Sequence, residues 1–124
     1  MLGNADAVAN VAVKDMSKAR AFYEGVLGLE SVERQEDQMT TYRSGNSRIN
    51  VYVSQFAGTN KATTLTWAVP DAKAAAAALA SKGVRFEHYD MPGITREGDI
   101  HAGYGMKSAW FKDPDGNILQ LLSQ

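Results

Sequence analysis

The side chains best suited to acid–base or metal chemistry are few in this chain, which has two histidines and no cysteine. His101 follows Glu97 and Asp99 within one short polar stretch. Imidazole beside carboxylates can transfer protons or bind a metal ion. Charged loops of this kind are also common as solvated connectors. The sequence leaves both interpretations open, and His101 and Glu97 are therefore candidates for catalysis.

His88 is the other candidate catalytic residue. Glu87 and Asp90 flank it, and a carboxylate can orient an imidazole so that it acts as a general base. The same histidine alternates with Val84 and Phe86, which is the spacing of a half-buried strand residue. Both interpretations of His88 stay open at this point.

Composition and charge exclude several classes of function. The chain has 124 residues, of which 44% are hydrophobic and 22% charged, as expected for a single domain spanning residues 1–124. The formal net charge is −1 without blocks of like charge, so nucleic acid and anionic membranes are not expected partners. The N-terminal residues lack the pattern of a signal peptide, and no apolar run is long enough to span a membrane. We therefore expect a cytoplasmic protein.

The first part of the chain alternates between strand and helix patterns. Ala9, Val11 and Val13 form one apolar face of a strand, and the residues from Asp15 onward have helical spacing up to Gly28. The predicted elements are a strand at Val8–Val13, a helix capped by Asp15 or Ser17, and strands near Leu29–Arg34, Thr40–Arg43 and Arg48–Val53. This is the order βαβββ.

After a linker at Ser54–Thr63 the same order begins again. Asp71 caps a second helix 56 residues after Asp15, and Gly83 ends it 55 residues after Gly28. The predicted strands of this half are one through Leu65, Trp67 and Val69, followed by Val84–Tyr89, Lys107–Phe111 and Asn117–Leu122. We therefore predict two βαβββ modules, at residues 7–54 and 63–123.

The second module contains an insertion at residues 90–105. Asn50 and Gln120 are equivalent positions 70 residues apart, so the second module is longer than the first. The inserted segment is rich in glycine, which predicts an irregular loop rather than a regular element. Loops of this length often cover binding sites, and this one carries Arg96 and His101. We predict a lid that becomes ordered when ligand binds.

Two motifs resemble those of the glyoxalase/bleomycin-resistance/extradiol-dioxygenase superfamily, also called the vicinal oxygen chelate superfamily. They are Val13, Asp15, Ala21–Tyr23 and Val26–Leu29 in the first module, and Phe111–Leu121 near the end. The resemblance implies an α+β fold in which two βαβββ modules form curved mixed sheets around a cavity. It also implies dimerisation, so a homodimer is expected, and exchange of modules between chains is common in that family.

The resemblance also indicates where metal ligands would lie. In metal-using members they stand at the start of each module's first strand and in the middle of its last strand. Here those positions are Val8, Asn50, Thr64 and Gln120. Valine has no donor atom, and amides and hydroxyls are weak ligands beside the histidines and carboxylates that transition metals prefer. We therefore expect no metal and no other cofactor.

The same comparison predicts a pocket with polar but uncharged groups. Tyr52 either donates a hydrogen bond to a ligand or packs in the core, as does Tyr42. The side on which Trp110 and Tyr42 lie is not fixed by alternation. The candidate ligand-binding residues are Asn10, Asn50, Tyr52, Thr64, Thr66, Arg96, His101, Trp110 and Gln120.

Two hypotheses for function follow. The first is a metal-independent protein of the glyoxalase/bleomycin-resistance type that holds a small organic molecule in the cavity. The alternative is a lyase, isomerase or dioxygenase of this superfamily with an unorthodox site formed by His88, His101 and Glu97. The missing metal ligands favour the first, and the polar insertion keeps the second open.

Overall fold

A computed structural model describes all residues from Met1 to Gln124 and contains two compact units, Met1–Thr59 and Asn60–Gln124. Each unit has one mixed sheet. The predicted α+β class with two sheets is confirmed. No helix is long and apolar enough to cross a membrane.

The first unit has four strands and one bent helical segment. After a short 3-10 turn at Leu2–Asn4 come β1 (Ala9–Val13), α1 (Met16–Arg20), β2 (Glu30–Gln35), β3 (Met39–Ser44) and β4 (Ser47–Val53). The strand order is β1-β4-β3-β2, with β1 parallel to β4 and the other pairs antiparallel. The parallel pair requires a crossover connection, and the helix supplies it.

The helix of this unit changes its winding. Asp15 is the cap, because its side chain accepts a hydrogen bond from the Lys18 N–H at 3.1 Å. Sequence spacing predicts one continuous helix to Gly28, but α1 ends at Arg20 and a π-helical segment follows at Ala21–Val26. This segment carries the fully buried Tyr23, which stacks on Tyr42 with ring centroids 6.0 Å apart. Core packing therefore accompanies the change in winding.

The second unit repeats this plan with extra strands. Its elements are β5 (Thr63–Ala68), α2 (Ala72–Ala80), β6 (Phe86–Glu87), β7 (Thr95–Glu97), β8 (Ile100–Gly103), β9 (Met106–Lys112) and β10 (Ile118–Ser123). The strand order is β5-β10-β9-β8-β7, and β6 also pairs with β9. Asp71 caps α2 as predicted, accepting from the Ala74 N–H at 3.1 Å.

The expectation of an irregular insertion is wrong, because part of residues 90–105 forms the β7–β8 hairpin. Its glycines lie mainly at turns: Gly98 stands between β7 and β8, and Gly105 between β8 and β9, both with positive φ. β8 pairs with one half of β9 and β6 with the other. This division explains why β6 has only two residues where Val84–Tyr89 was predicted to be a strand.

Each unit buries one face of its sheet against its helix. In the first unit the buried strand residues include Val11 and Val51; in the second they include Ala109, Phe111 and Leu119, over which α2 packs. The residues between them in sequence point to the opposite side, as strand geometry requires. We call that side the open face of each sheet.

Candidate functional site

The open face of the first sheet carries a row of polar groups across three strands. Thr41 Oγ1 donates a hydrogen bond to Asn50 Oδ1 at 2.7 Å, and Asn50 Nδ2 donates to Asn10 Oδ1 at 3.4 Å. Tyr52 lies two residues beyond Asn50 on the same face and is 39% exposed. Three of the predicted ligand-binding residues, Asn10, Asn50 and Tyr52, therefore share one face of this unit.

An equivalent row crosses the open face of the second sheet. Thr66 Oγ1 donates to Gln120 Oε1 at 2.8 Å, and Gln120 Nε2 donates to Ser108 Oγ at 3.1 Å. Gln120 here takes the place of Asn50 in the first unit. Gln120 is held between two hydroxyl groups, and Asn50 between the Thr41 hydroxyl and the Asn10 amide oxygen. These partners fix the orientation of each carboxamide and provide hydrogen bonding without charge.

The four positions where the family's metal ligands fall do not suit a metal ion. Val8 offers no donor atom, and the amide oxygens of Asn50 and Gln120 already accept hydrogen bonds from threonine hydroxyls. Thr64 Oγ1 is buried without a hydrogen-bond partner, but a neutral hydroxyl alone is a weak ligand. No group of three or more histidine, aspartate or glutamate side chains is placed to hold a metal.

A cavity of about 350 Å³ lies beside the open face of the second sheet. Its other wall is formed by residues 91–94, which precede the β7–β8 hairpin, and residues 103–106, which follow it; we call these two segments the hairpin region. Its walls are mainly apolar, and no aspartate, glutamate, lysine or arginine is among the residues that form them. The lining residues are Met91, Pro92, Ile94, His101, Gly103, Tyr104, Met106, Ser108, Trp110, Gln120 and Leu122.

His101 is the most constrained polar residue of this cavity. It is only 2% exposed, and its Nε2 accepts a hydrogen bond from the Tyr89 backbone N–H at 2.9 Å. An imidazole nitrogen that accepts from a peptide N–H carries no proton, so the proton of the neutral ring is on Nδ1. Nδ1 is buried and has no partner in the protein. The ring meets Trp110 edge to face, with centroids 4.9 Å apart.

Trp110 lines both this cavity and a second, more open one of about 510 Å³. Its Nε1 donates to Thr63 Oγ1 at 3.1 Å, and its ring contacts Tyr89 edge to face. Burial, followed by the charge of Glu87, raises the pKa of Tyr89, which is therefore a neutral phenol at neutral pH. The second cavity is lined by Lys61, Ala62, Thr63, Tyr89, Asp90, Met91, Trp110 and Ile118, and unlike the first it has charged residues in its wall.

Close contacts between two turns form one end of the first cavity. A Cβ added to Gly103 would lie 2.7 Å from the Gly93 carbonyl oxygen and would also collide with the side chain of Ile94. A Cβ on Gly93 would lie 2.6 Å from the Tyr104 hydroxyl. Tyr104 itself has a φ of 54°, a conformation that is unusual for a residue with a side chain. Glycine at position 103 is therefore required for the backbone to approach Gly93 this closely, and position 93 favours glycine because its φ is 77°.

The remaining predicted catalytic residues do not line this cavity. His88 Nε2 is 2.8 Å from Asp99 Oδ1 in a pair that is nearly half exposed. Glu97 is exposed in β7. The structure thus does not group His88, Glu97 and His101 into one site.

Arg96 also lies outside both cavities. Its side chain is exposed and donates to the Gly98 carbonyl oxygen at 2.8 Å, within the hairpin. Backbone pairing places Arg96 opposite His101 on the neighbouring strand, but its guanidinium contacts the turn at Gly98.

Tyr42 belongs to the core. It is fully buried, and its hydroxyl donates to Glu24 Oε2 at 2.8 Å. Burial, and then the hydrogen bond and charge of Glu24, raise the pKa of Tyr42. Strand alternation does not fix the side of the sheet on which Trp110 and Tyr42 lie. In the structure Trp110 lies at the cavity and Tyr42 does not.

Several lining residues were missed from the sequence although a signal was present. Ser108 and Met106 alternate with Trp110 along β9, and Leu122 alternates with Gln120 along β10. Strand alternation places them on the same face once Trp110 and Gln120 are assigned to it. The aliphatic contacts from Met91 and Ile94 depend on how the insertion folds back, for which the sequence has no comparable signal.

Comparisons with known proteins find solved structures that have a similar fold. Among solved structures, a lactoylglutathione lyase from Agrobacterium tumefaciens is 18% identical with a TM-score of 0.72, covering 97% of this chain and 93% of that one. A glyoxalase/bleomycin resistance protein from Catenulispora acidiphila is 20% identical with a TM-score of 0.68, covering 96% and 97%. The fosfomycin resistance protein FosX from Listeria monocytogenes is 13% identical with a TM-score of 0.69, covering 95% and 91%.

At these identities the structural likeness concerns the fold alone. A comparison with curated proteins found no match. The family model described as Glyoxalase/Bleomycin resistance protein/Dioxygenase superfamily matches residues 6–121, which confirms the resemblance seen in the sequence motifs. The chain belongs to this superfamily.

Proposed function

We propose that the protein binds a small organic molecule without a metal ion, in the cavity formed by the hairpin region and the open face of the second sheet. The observation that carries this proposal is the cavity itself. It has apolar walls and a few fixed polar groups, which are the features of a small-molecule site.

The four positions at which the family's metal ligands fall support the metal-independent part of the proposal. Two of them are amides whose oxygens are already hydrogen-bonded, and one is a valine. Transferring a divalent ion from water to such groups leaves its desolvation uncompensated. The polar rows instead suit neutral hydrogen bonding.

The alternative is an enzyme of the lyase, isomerase or dioxygenase type. His101 favours it, because this histidine is part of the cavity wall and imidazole is the side chain that most often transfers protons in enzymes. His88 and Glu97 supply no second group beside it in this structure. A proton donor without a partner base supports binding better than turnover.

A metal-free binding assay tests the proposed function. The probe is 2-acetylnaphthalene, added to protein that has been dialysed against a chelator, and its binding is followed by ligand-observed NMR. We expect saturable binding that the chelator does not change. Binding restored only by added metal would contradict metal independence.

A pair of matched variants locates the site. Met106→Trp fills the cavity from a partly exposed position of β9 and should abolish probe binding. Met39→Trp makes the same exchange on β3 of the other unit and should leave binding unchanged. Binding that survives Met106→Trp would place the ligand site elsewhere.

A further inference from the structure

We propose that Trp110 determines which ligands the site accepts, because its indole closes the first cavity, of about 350 Å³, on the side of the second, of about 510 Å³. The inference rests on the proposed function and specifies the size class of the ligand, a compact aromatic molecule that ends at the indole. A longer molecule gains affinity only where the indole is absent or displaced.

The indole lies where the two cavities meet. Trp110 and Met91 are the two residues that line both of them. The indole meets the ring of His101, which lines the first cavity only, with centroids 4.9 Å apart. It also contacts the ring of Tyr89, with centroids 5.5 Å apart, and the hydroxyl of Thr63, and these two residues line the second cavity only. Residues of both cavities therefore contact the same ring.

These contacts come from three other elements and hold the indole in place. Its Nε1 donates to the Thr63 hydroxyl on β5 at 3.1 Å, while Tyr89 follows β6 and His101 belongs to β8. Both ring contacts are edge to face, an arrangement that aromatic pairs favour. An indole that turned aside would lose the hydrogen bond and both ring contacts, so the conformation that closes the cavity is the stable one.

The other shared residue, Met91, is a weaker barrier. A methionine side chain is unbranched and flexible, so it adapts to the shape of a ligand at little cost. The indole rather than the thioether therefore sets the limit on ligand length.

Closure by the indole makes the first cavity a small site. Its volume is at the small end of those that bind organic molecules, and the second cavity offers more space on the other side of the ring. A ligand too long for the first cavity has to leave one end in water, where that end buries no apolar surface and adds no affinity.

The test compares two probes that differ only in length, 2-acetylnaphthalene and 2-acetyl-6-phenylnaphthalene. In the wild-type protein the added phenyl group should give no gain in affinity. In Trp110→Ala it should enter the second cavity, and the longer probe should bind at least about tenfold more tightly than the shorter one, as burial of a phenyl ring predicts. Equilibrium dialysis, with each probe quantified by its absorbance, measures the dissociation constants.

Met106→Ala is the matched control. Met106 is on the same strand as Trp110 but lines only the first cavity, so its truncation widens that cavity without joining it to the second. This variant should show no gain from the phenyl group. A tenfold gain in Met106→Ala would show that the preference follows from any enlargement of the cavity, and the role of Trp110 would be rejected.

Thr63→Val tests the inference without removing the indole, because Thr63 is a positioning residue. Valine has nearly the shape of threonine but cannot accept the Nε1 hydrogen, so the ring is held less firmly and the longer probe should gain about threefold over the shorter one. Thr63→Ser keeps a hydroxyl and should behave as wild type. The Nε1–H resonance of Trp110, one of two tryptophans in the chain, should move in Thr63→Val and return in Thr63→Ser.

The outcomes separate this inference from the proposed function. A tenfold preference for the longer probe in the wild type, or no such preference in a folded Trp110→Ala, would overturn the inference and leave small-molecule binding intact. If Trp110→Ala does not fold, the Thr63 variants decide, and an equal preference in Thr63→Val and Thr63→Ser would overturn the inference. Failure of both probes to bind the wild-type protein would overturn the proposed function together with it.

Discussion

Tyr42 shows how a single hydroxyl ties the helical segment of the first unit to its sheet. The hydroxyl donates to Glu24 Oε2, while Glu24 Oε1 is 2.6 Å from an Arg34 nitrogen. The carboxylate therefore joins a buried phenol on β3 to an exposed cation on β2. Since the phenol is fully buried, ionising it would place a charge in the core beside another negative charge.

Tyr42→Phe should lower the free energy of unfolding at neutral pH by about 1.5 to 3 kcal/mol, because it removes one hydrogen bond to a charged acceptor. The pKa of Tyr42 is raised above its ordinary value of 10.0 in the folded state. Above that pH the unfolded chain gives up a proton that the folded chain keeps, so wild-type stability falls with rising pH. Phenylalanine does not ionise, and the gap between the two proteins should therefore shrink above pH 10.0.

Urea unfolding of both proteins at neutral and alkaline pH measures this difference. Tyr89 is present in both and cancels in the comparison. Tyr52→Phe is the control, because the Tyr52 side chain is 39% exposed. The free energy of unfolding of this variant should stay within about 0.5 kcal/mol of wild type. An equal pH dependence of Tyr42→Phe and wild type would show that Tyr42 is not responsible.

At the scale of elements, the segment from Asp90 to Gly105 is the part of the second unit that departs from the plan of the first. In the first unit β2 alone pairs with the side of β3 that faces away from β4, whereas in the second β6 and β8 divide the side of β9 that faces away from β10. The insertion adds β7 and β8 to the sheet, and its first turn, at Gly93, packs against its end, at Gly103 and Tyr104. This arrangement gives the cavity its outer wall.

Gly103→Ala should disrupt that wall. Its added methyl group would meet Ile94 and the Gly93 carbonyl, and relieving such overpacking typically costs about 1 to 3 kcal/mol. Gly25→Ala is the matched control, because nothing lies within 4 Å of a Cβ there. Thermal unfolding and hydrogen exchange of residues 90–105 measure the effect; equal behaviour of the two variants would show that the close approach is unimportant.

Ligand binding should slow hydrogen exchange in residues 90–105, because the lid predicted from the sequence closes over the bound molecule. The probe is 2-acetylnaphthalene at saturation, and peptides from β3 and β4 of the other unit serve as the internal reference. Arg96→Ala should keep the protection, because the Arg96 side chain bonds to the Gly98 carbonyl rather than lining the cavity. Unchanged exchange in wild type would make this segment a static wall.

The sequence predicted those features of the fold that depend on local chemistry. Asp15 and Asp71 are caps because their side chains reach a backbone N–H three residues on, and this depends on nothing distant. The sequence does not predict the hairpin, because a glycine-rich stretch is typical of irregular loops, although Gly98–Asp99 is also a two-residue turn signal. The partners of His101 are set by how the insertion packs, which spacing along the chain does not encode.

At the scale of the whole molecule, the absence of suitable ligands in either unit predicts the metal content. Protein purified without a chelator should contain far less than one Zn, Ni, Fe or Mn per chain by inductively coupled plasma analysis, because Val8 and the hydrogen-bonded amides replace the usual donors. About one equivalent of metal in the wild-type protein would contradict the proposal, and His88 and His101 would then be the ligands to test first.

The last prediction is a homodimer. Each sheet has a strand with an unpaired edge, β1 in the first unit and β5 in the second, and Phe56, which follows β4 in the first unit, is 67% exposed. Open edges and exposed aromatic surface are costly for an isolated chain, and a second copy can cover both. Sedimentation equilibrium at micromolar concentration should give twice the chain mass of 13.4 kDa. Phe56→Ser should weaken the association of the two chains, whereas Tyr52→Phe, which keeps an aromatic ring at the surface, should leave it unchanged. A wild-type particle of 13.4 kDa would show that the protein is a monomer and would contradict this prediction.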